Sequence, residues 1–131
     1  SSGEALYPII QRLKNQGMRV SLFMDPDLEQ IDLAAKVGAD RIELYTGPYA
    51  ASWGTDSLET IFQHHLKAAQ LATSLGMGVN AGHDLNLDNL AKFSSIPNLL
   101  EVSIGHAFFV DSLSMGMAST MQAYKKLLSQ N

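Results

Sequence analysis

The sequence contains no cysteine, which excludes disulfide bonds and thiolate metal sites. It is also short of cations, since 9 Lys and Arg against 13 Asp and Glu give a formal net charge of −4. Such a chain lacks the basic field that attracts nucleic acid or an anionic membrane surface. No apolar run approaches the roughly 18 residues of a membrane helix, and the first residues show no signal-peptide pattern. We therefore expect a cytoplasmic protein with no nucleic-acid or membrane partner.

The 131 residues, of which 46% are hydrophobic, suffice for one domain over residues 1–131 with its own core. Periodicity predicts strands at residues 19–24, 40–46, 77–82 and 99–105. It predicts helices at residues 4–16, 26–38, 56–75 and 87–93, with residues 47–54 as a loop. Asp25-Pro26-Asp27 is interpreted as the N-cap, first residue and acidic first turn of the second helix. One last helix carries Leu113, Met117, Met121, Tyr124 and Leu128, and its methionines are expected in the core.

The predicted strands have one apolar face and one face of small, polar or acidic residues. Ile42 and Leu44 alternate with Glu43 and Tyr45, for example. This pattern favours a barrel whose apolar side meets outer helices while the polar side points inward to a site. Four strands make half of such a barrel, so the predicted fold is α/β, half of a (β/α)8 TIM barrel. The alternative is an open flavodoxin-like sheet with helices on both faces.

Two of these strands end at a Gly-His pair, Gly82-His83 and Gly105-His106, and each pair leads toward a helix. In parallel α/β proteins, bare backbone amides and a titratable side chain meet at this point, and glycine lets a phosphate approach. The pairing predicts chemistry on a small phosphorylated molecule.

Four segments carry a family resemblance, namely residues 19–26 (RVSLFMDP), 42–50 (IELYTGPYA), 79–85 (VNAGHDL) and 103–107 (SIGHA). In this order and spacing they closely resemble the C-terminal half of the pyridoxine 5'-phosphate synthase family. The resemblance covers nearly the whole chain but only about half of that family's usual length.

Members of that family are cytoplasmic (β/α)8 barrels, usually octameric, so the resemblance implies that these are the fifth to eighth strands. The implied reaction condenses 1-deoxy-D-xylulose 5-phosphate with 3-amino-2-oxopropyl phosphate to form pyridoxine 5'-phosphate, phosphate and water, with no cofactor. The resemblance places the catalytic histidine at His83, a transition-state-stabilising glutamate at Glu43, and phosphate contacts at Asp84, Gly105 and His106. Because the family's other catalytic groups and substrate-binding arginines lie in its first half, this chain alone should be inactive.

The residues themselves support these roles but leave alternatives. An imidazole suits the repeated proton transfers of a ring-forming condensation, although His83 also fits a loop or capping histidine. Glu43, in an otherwise apolar strand, either stabilises a cationic intermediate when ionised, donates a hydrogen bond when protonated, or forms an ion pair with Arg19 or Arg41. Many family members have glycine at the position of Asp84, so a phosphate contact there should come from the backbone.

Gly105-His106 predicts a phosphate site at a helix N-terminus, with a tight turn bearing an exposed histidine as the alternative. Asn80 and Ser103 on the inward face either orient ligands or satisfy neighbouring backbone. His83 and Asp84 do not complete a metal shell, so no metal is expected. As alternatives to an enzyme, a non-catalytic phosphate-binding module or a self-associating half-barrel remains open, because exposed edge strands favour association and a homo-oligomer.

Overall fold

A computed structural model describes residues 2–130, and residues 1 and 131, the two ends of the predicted domain, lie outside the described residues. The strands are β1 (Ser21–Met24), β2 (Arg41–Tyr45), β3 (Gly78–Gly82) and β4 (Leu99–Ser103). The helices are α1 (Ser2–Asn15), α2 (Leu28–Lys36), α3 (Gly47–Ala51), α4 (Leu58–Ser74), α5 (Leu90–Phe93), α6 (His106–Met115) and α7 (Met117–Leu128).

The four strands form one parallel sheet in the order β1-β2-β3-β4, which is also their order along the chain. The register aligns Phe23, Glu43, Asn80 and Glu101 in one row, and a shift between Val79 and Asn80 marks an irregularity in the β3–β4 pairing. Consecutive parallel strands joined through helices are the arrangement of half of a (β/α)8 barrel, as predicted.

The two faces of the sheet differ as the strand alternation predicts. Ile42, Leu44, Val79 and Ala81 point toward the helices and are fully buried. On the opposite face Phe23 is 61% exposed, and the side chains of its row are exposed or only partly buried. The flavodoxin-like alternative is wrong, because helices on both faces would have buried this side as well.

Small residues let α4 approach the sheet closely. Ala68, Ala69 and Ala72 are at most 1% exposed, and α4 contacts both α2 and β3. The helix also buries Phe62 and His65, while His64 is exposed. Burial of this apolar face, rather than helix propensity alone, stabilises the helix in place.

The expected start of α2 is wrong by two residues. Asp27, not Asp25, is the N-cap, because its backbone is extended and its carboxylate accepts hydrogen bonds from the N–H groups of Glu29 and Gln30. Pro26 therefore precedes the helix instead of opening it. The side-chain acceptor decides which residue caps, since it satisfies two amides that the first helical turn leaves free.

Two further expectations about the chain path are wrong. The segment predicted as a loop over residues 47–54 begins with the short helix α3, where Pro48 occupies a first-turn position that its fixed φ suits. The predicted single last helix is two helices, because Gly116 adopts φ 83° and ψ 150° between α6 and α7. That backbone conformation is open to glycine and interrupts the helical hydrogen bonding.

The methionines of the last helices do not pack into the core of this chain, contrary to expectation. Met117 and Met121 are 69% and 42% exposed, and Leu113 of α6 is 74% exposed. Leu6 and Ile9 of α1 are likewise exposed. Among the helices within residues 2–130, none combines the length and apolarity needed to cross a membrane.

Candidate active site at the carboxyl ends of the strands

A cavity of about 280 Å³ lies at the carboxyl ends of the strands. Its lining brings together all five residues proposed from the sequence, with three others, as Phe23, Glu43, Gly82, His83, Asp84, Ser103, Gly105 and His106. The two Gly-His corners therefore meet at one end of the sheet. Parallel strands place their carboxyl ends at the same edge, so residues far apart in sequence share this cavity.

His83 lies in a turn directly after β3, and its ring has two defined contacts. Nδ1 lies 2.9 Å from Oδ2 of Asp84, and the ring packs edge-on against Tyr45 with centroids 5.0 Å apart. These contacts orient the imidazole but leave the side chain 54% exposed. Within residues 2–130 Nε2 has no hydrogen-bond partner, so this nitrogen is available to a ligand.

The turn that carries His83 has an unusual backbone. His83 and Asp84 have φ values of 107° and 57°, in a region that residues other than glycine rarely adopt. Thr46 Oγ1 donates a hydrogen bond of 2.5 Å to the carbonyl of His83, and Asn89 Nδ2 donates one of 3.2 Å to the carbonyl of Asp84. The positive φ of Asp84 explains physically why glycine also suits this position.

Glu43 lies in the middle of β2, partly buried and facing the cavity. The suggested ion pair with Arg19 or Arg41 is wrong, because Arg41 instead donates to Asn80 Oδ1 at 3.1 Å and to Glu101 Oε2 at 3.2 Å. In the described part of the chain Glu43 has no hydrogen-bond or ion-pair partner. A partly buried carboxyl without a protein partner retains its capacity to bind or protonate a ligand.

Gly82 provides the space in which the Glu43 carboxylate lies. A Cβ atom added to Gly82 would sit 2.7 Å from Glu43 Oε1 and 2.9 Å from the Cβ of Ser103. The glycine is thus required by close approach across three neighbouring strands. It keeps the cavity floor open between Glu43 and Ser103.

The second Gly-His corner forms the start of α6. Gly105 is the N-cap and His106 the first helical residue, and both are exposed to the cavity. A Cβ at Gly105 would meet nothing within 4 Å, so a ligand can approach the backbone here. The first amides of a helix lack internal acceptors and carry the positive end of the helix dipole, an arrangement suited to an anion.

The two other inward polar residues, Asn80 and Ser103, have different surroundings. Asn80 accepts a hydrogen bond from Arg41 and does not line the cavity, whereas Ser103 lines it. No three His, Asp or Glu side chains of the described residues are grouped closely enough to hold a metal ion.

Sequence reasoning missed Phe23, Tyr45 and Asn89. Phe23 lines the cavity, Tyr45 packs against the imidazole, and Asn89 bonds to the turn. The Asn86-Leu87-Asp88-Asn89 segment, rich in turn formers, was the one available sequence feature, and it did not indicate which backbone atom would be bound.

Comparison with known proteins gives a consistent result. The family model described as "Pyridoxal phosphate biosynthesis protein PdxJ" matches residues 1–130. A pyridoxine 5'-phosphate synthase of Albidiferax ferrireducens is 49% identical over 126 residues, covering 95% of this chain and 50% of the relative. That of Parabacteroides distasonis is 51% identical over 125 residues, covering 95% and 52%. The chain thus spans about half the length of the curated relatives it matches.

Proposed function

The chain belongs to the PdxJ family of pyridoxal phosphate biosynthesis proteins, and on this basis we propose that it supplies the C-terminal half of the active site of a pyridoxine 5'-phosphate synthase. The proposed reaction, of the transferase class, condenses 1-deoxy-D-xylulose 5-phosphate with 3-amino-2-oxopropyl phosphate to pyridoxine 5'-phosphate, phosphate and water. The observation that supports it best is one cavity shared by His83, Glu43 and the Gly105–His106 corner. In this set His83 can carry protons, Glu43 supplies a carboxyl group, and the Gly105–His106 corner can bind an anion.

We assign His83 the role of general acid and base. Its Nδ1 is bonded to Asp84, so the tautomer and ring angle are set on one side while Nε2 is left for substrate. The Tyr45 ring limits rotation of the imidazole on its other side. A positioned histidine of this kind contributes typically about 10²–10⁴-fold to the rate of a proton-transfer step.

Glu43 is assigned to stabilise the charge that develops on the substrate. Without a protein partner among residues 2–130, its carboxyl can face a cationic, iminium-like intermediate when ionised or donate a hydrogen bond when protonated. Gly82 keeps the space beside this carboxyl clear.

Substrate phosphate, or the inorganic phosphate released, is assigned to the start of α6 at Gly105 and His106. At Asp84 the contact is assigned to the backbone, since the side chain pairs with His83 and would repel an anion. A second cavity of about 350 Å³ shares Asp84 and His106 with the first, which supports room for a second phosphorylated group.

We further propose that the chain acts in the cytoplasm within a homo-oligomer and is inactive until the other half of the barrel is present. Its two edge strands, β1 and β4, each have one unpaired side in the described sheet. Unpaired strand edges and exposed apolar helices favour association with further strands and helices.

The test is complementation. The chain is co-expressed with the N-terminal half of the Parabacteroides distasonis relative, and product and phosphate are measured after both substrates are added. We expect turnover from the pair and none from either half alone. His83→Asn should abolish it, whereas His64→Asn, a change to an exposed helical histidine, should not. Equal turnover in these two variants would refute the assignment of His83.

The exposed side chains of α6 and α7 favour a second candidate, a non-catalytic half-barrel that binds phosphate and self-associates. Phe109, Leu113 and Met117 are 63%, 74% and 69% exposed. On this hypothesis the chain alone would sediment as an oligomer and bind inorganic phosphate, and the complemented pair would yield no product. The assay above therefore separates the two candidates.

A further inference from the structure

Two consecutive residues at the candidate active site have a backbone that requires external support. His83 and Asp84 have φ values of 107° and 57°, and Asn98 is the one other non-glycine residue in the described chain with a positive φ. Such conformations are energetically unfavourable for residues with a side chain and persist where surrounding contacts hold them. The structure should therefore contain groups that fix this turn.

The carbonyls of three consecutive residues are held by two buried residues. The N–H of Thr46 donates to the carbonyl of Gly82 at 3.2 Å, and its hydroxyl donates to that of His83 at 2.5 Å. Asn89 Nδ2 donates to the carbonyl of Asp84 at 3.2 Å. Thr46 and Asn89 are 0% and 1% exposed, so water does not compete for these bonds.

Asn89 is itself fixed on three sides. Its Oδ1 accepts from the N–H of Asn86 at 2.8 Å, and its own N–H donates to Asn86 Oδ1 at 3.0 Å. Its carbonyl accepts from the hydroxyl of Tyr49, which is 0% exposed, at 2.5 Å. Burial raises the pKa of Tyr49, so this hydroxyl keeps its proton and remains a donor.

From this network we propose that Thr46 and Asn89 are positioning residues that hold the His83–Asp84 turn and thereby set the place of the His83 imidazole. The proposal rests on the proposed function in one respect, that His83 transfers protons. Neither side chain lines the cavity around His83, so both act through the backbone of the turn. Without their hydrogen bonds the two peptide groups can relax toward ordinary φ values, which moves the ring away from Asp84 and Tyr45.

The experiment uses variants that each remove one donor. Thr46→Val preserves the shape of the side chain and deletes the hydroxyl, and Thr46→Ser restores it. Asn89→Asp keeps the acceptor for Asn86 and replaces the donor to Asp84 by a carboxylate oxygen, which also adds a charge. Thr120→Val is the matched control, because Thr120 is also 0% exposed and donates to a backbone carbonyl, that of Gly116 at 2.9 Å, in another part of the fold.

The first readout is the imidazole of His83 in NMR spectra of the chain itself, identified by its loss in His83→Asn. We expect Thr46→Val and Asn89→Asp to shift the His83 ring nitrogen signals, and the uncharged change Thr46→Val to alter their pH titration as well. Thr46→Ser and Thr120→Val should leave these signals as in the parent. The second readout is the complemented enzyme, in which kcat should fall about tenfold or more while KM changes less than twofold.

The proposal is overturned if either donor-deleting variant folds and yet gives the His83 signals and the kcat of Thr120→Val. Should Thr46→Val fail to fold, Asn89→Asp decides the question by the same two readouts. If the complemented parent shows no turnover, the proposed function fails, while the NMR comparison still tests the positioning role.

Discussion

Gly82→Ala tests the geometry of the cavity floor. Gly82 has no positive φ, so alanine is compatible with its backbone and only the added methyl group matters. That methyl would lie 2.9 Å from the Cβ of Ser103 and 2.7 Å from Glu43 Oε1, whereas ordinary contacts are 3.4–4 Å. The carboxylate can move aside, but the Cβ of Ser103 is fixed to the backbone of β4. We expect an overpacking cost of about 1–3 kcal/mol.

Gly78→Ala is the matched control, four residues earlier on the same strand and the same face. Its added methyl would meet two flexible side chains outside the cavity lining, at Leu100 Cδ1 (2.9 Å) and Arg41 Cγ (3.0 Å). These side chains can adjust, so the cost should be smaller than for Gly82→Ala. Activity of the complemented enzyme should be retained.

Urea unfolding of the isolated chain measures the difference. With a slope of about 2 kcal/mol per molar urea, a loss of about 2 kcal/mol lowers the midpoint by about 1 M. In the complemented enzyme Gly82→Ala should also lower turnover, because the displaced Glu43 carboxylate no longer faces the substrate. If Gly82→Ala matches Gly78→Ala in both midpoint and turnover, the close packing of Glu43 over Gly82 is refuted.

Three further predictions use the same chain. Asp84→Gly should change the unfolding free energy by less than about 1 kcal/mol, because relief of the left-handed backbone offsets the extra freedom of glycine when unfolded. It should also strengthen phosphate binding in calorimetry by removing a carboxylate, and weaker binding would contradict this. Asp40 accepts a hydrogen bond from the N–H of Val20 and lies near Lys14, contacts that lower its pKa below 3.8. The ionised carboxylate therefore stabilises the fold at neutral pH, and this effect is lost as the pH falls through the lowered pKa. Because the side chain is about a third exposed, Asp40→Asn should cost less than about 1 kcal/mol at neutral pH and make stability less dependent on pH below pH 4 in an acid titration. An unchanged pH dependence below pH 4 would refute this. Leu113→Ser should change the unfolding free energy by less than about 0.5 kcal/mol but reduce self-association measured by sedimentation. Unchanged self-association would show that the exposed face of α6 is not the association surface.

The strand alternation was sufficient to predict which side of the sheet would be open. Because side chains alternate with a period of two, Glu43 and Tyr45 had to share a face opposite Ile42 and Leu44. The meeting of the two Gly-His corners followed equally from the parallel order of the strands. Both predictions depend on local pattern and on a general property of α/β proteins, which explains their success.

Other features depend on contacts that local pattern does not contain. Gly47-Pro48 is compatible with both a turn and the first turn of a helix, and burial of Tyr49 selects the helix. The hydrogen bond from Thr46 to His83 joins residues 37 positions apart. Apolar periodicity at Met117 and Met121 correctly identifies an apolar face, but it does not say whether that face is covered within the same chain.

The charges around the cavity bear on the proposed need for a second half. Its eight lining residues include two carboxylic acids, Glu43 and Asp84, and two histidines, but neither Lys nor Arg. Under the proposed function, a substrate phosphate in this cavity would be held by the backbone at Asp84, the amides at the start of α6 and the imidazole of His106, and ionised carboxylates beside it would repel it. Arg41, the cation below the cavity, is engaged by Asn80 and Glu101. If the proposed function is correct, this chain supplies the groups for proton transfer and a backbone anion site, and we expect permanent positive charge for the phosphorylated substrates to come from the other half of the barrel.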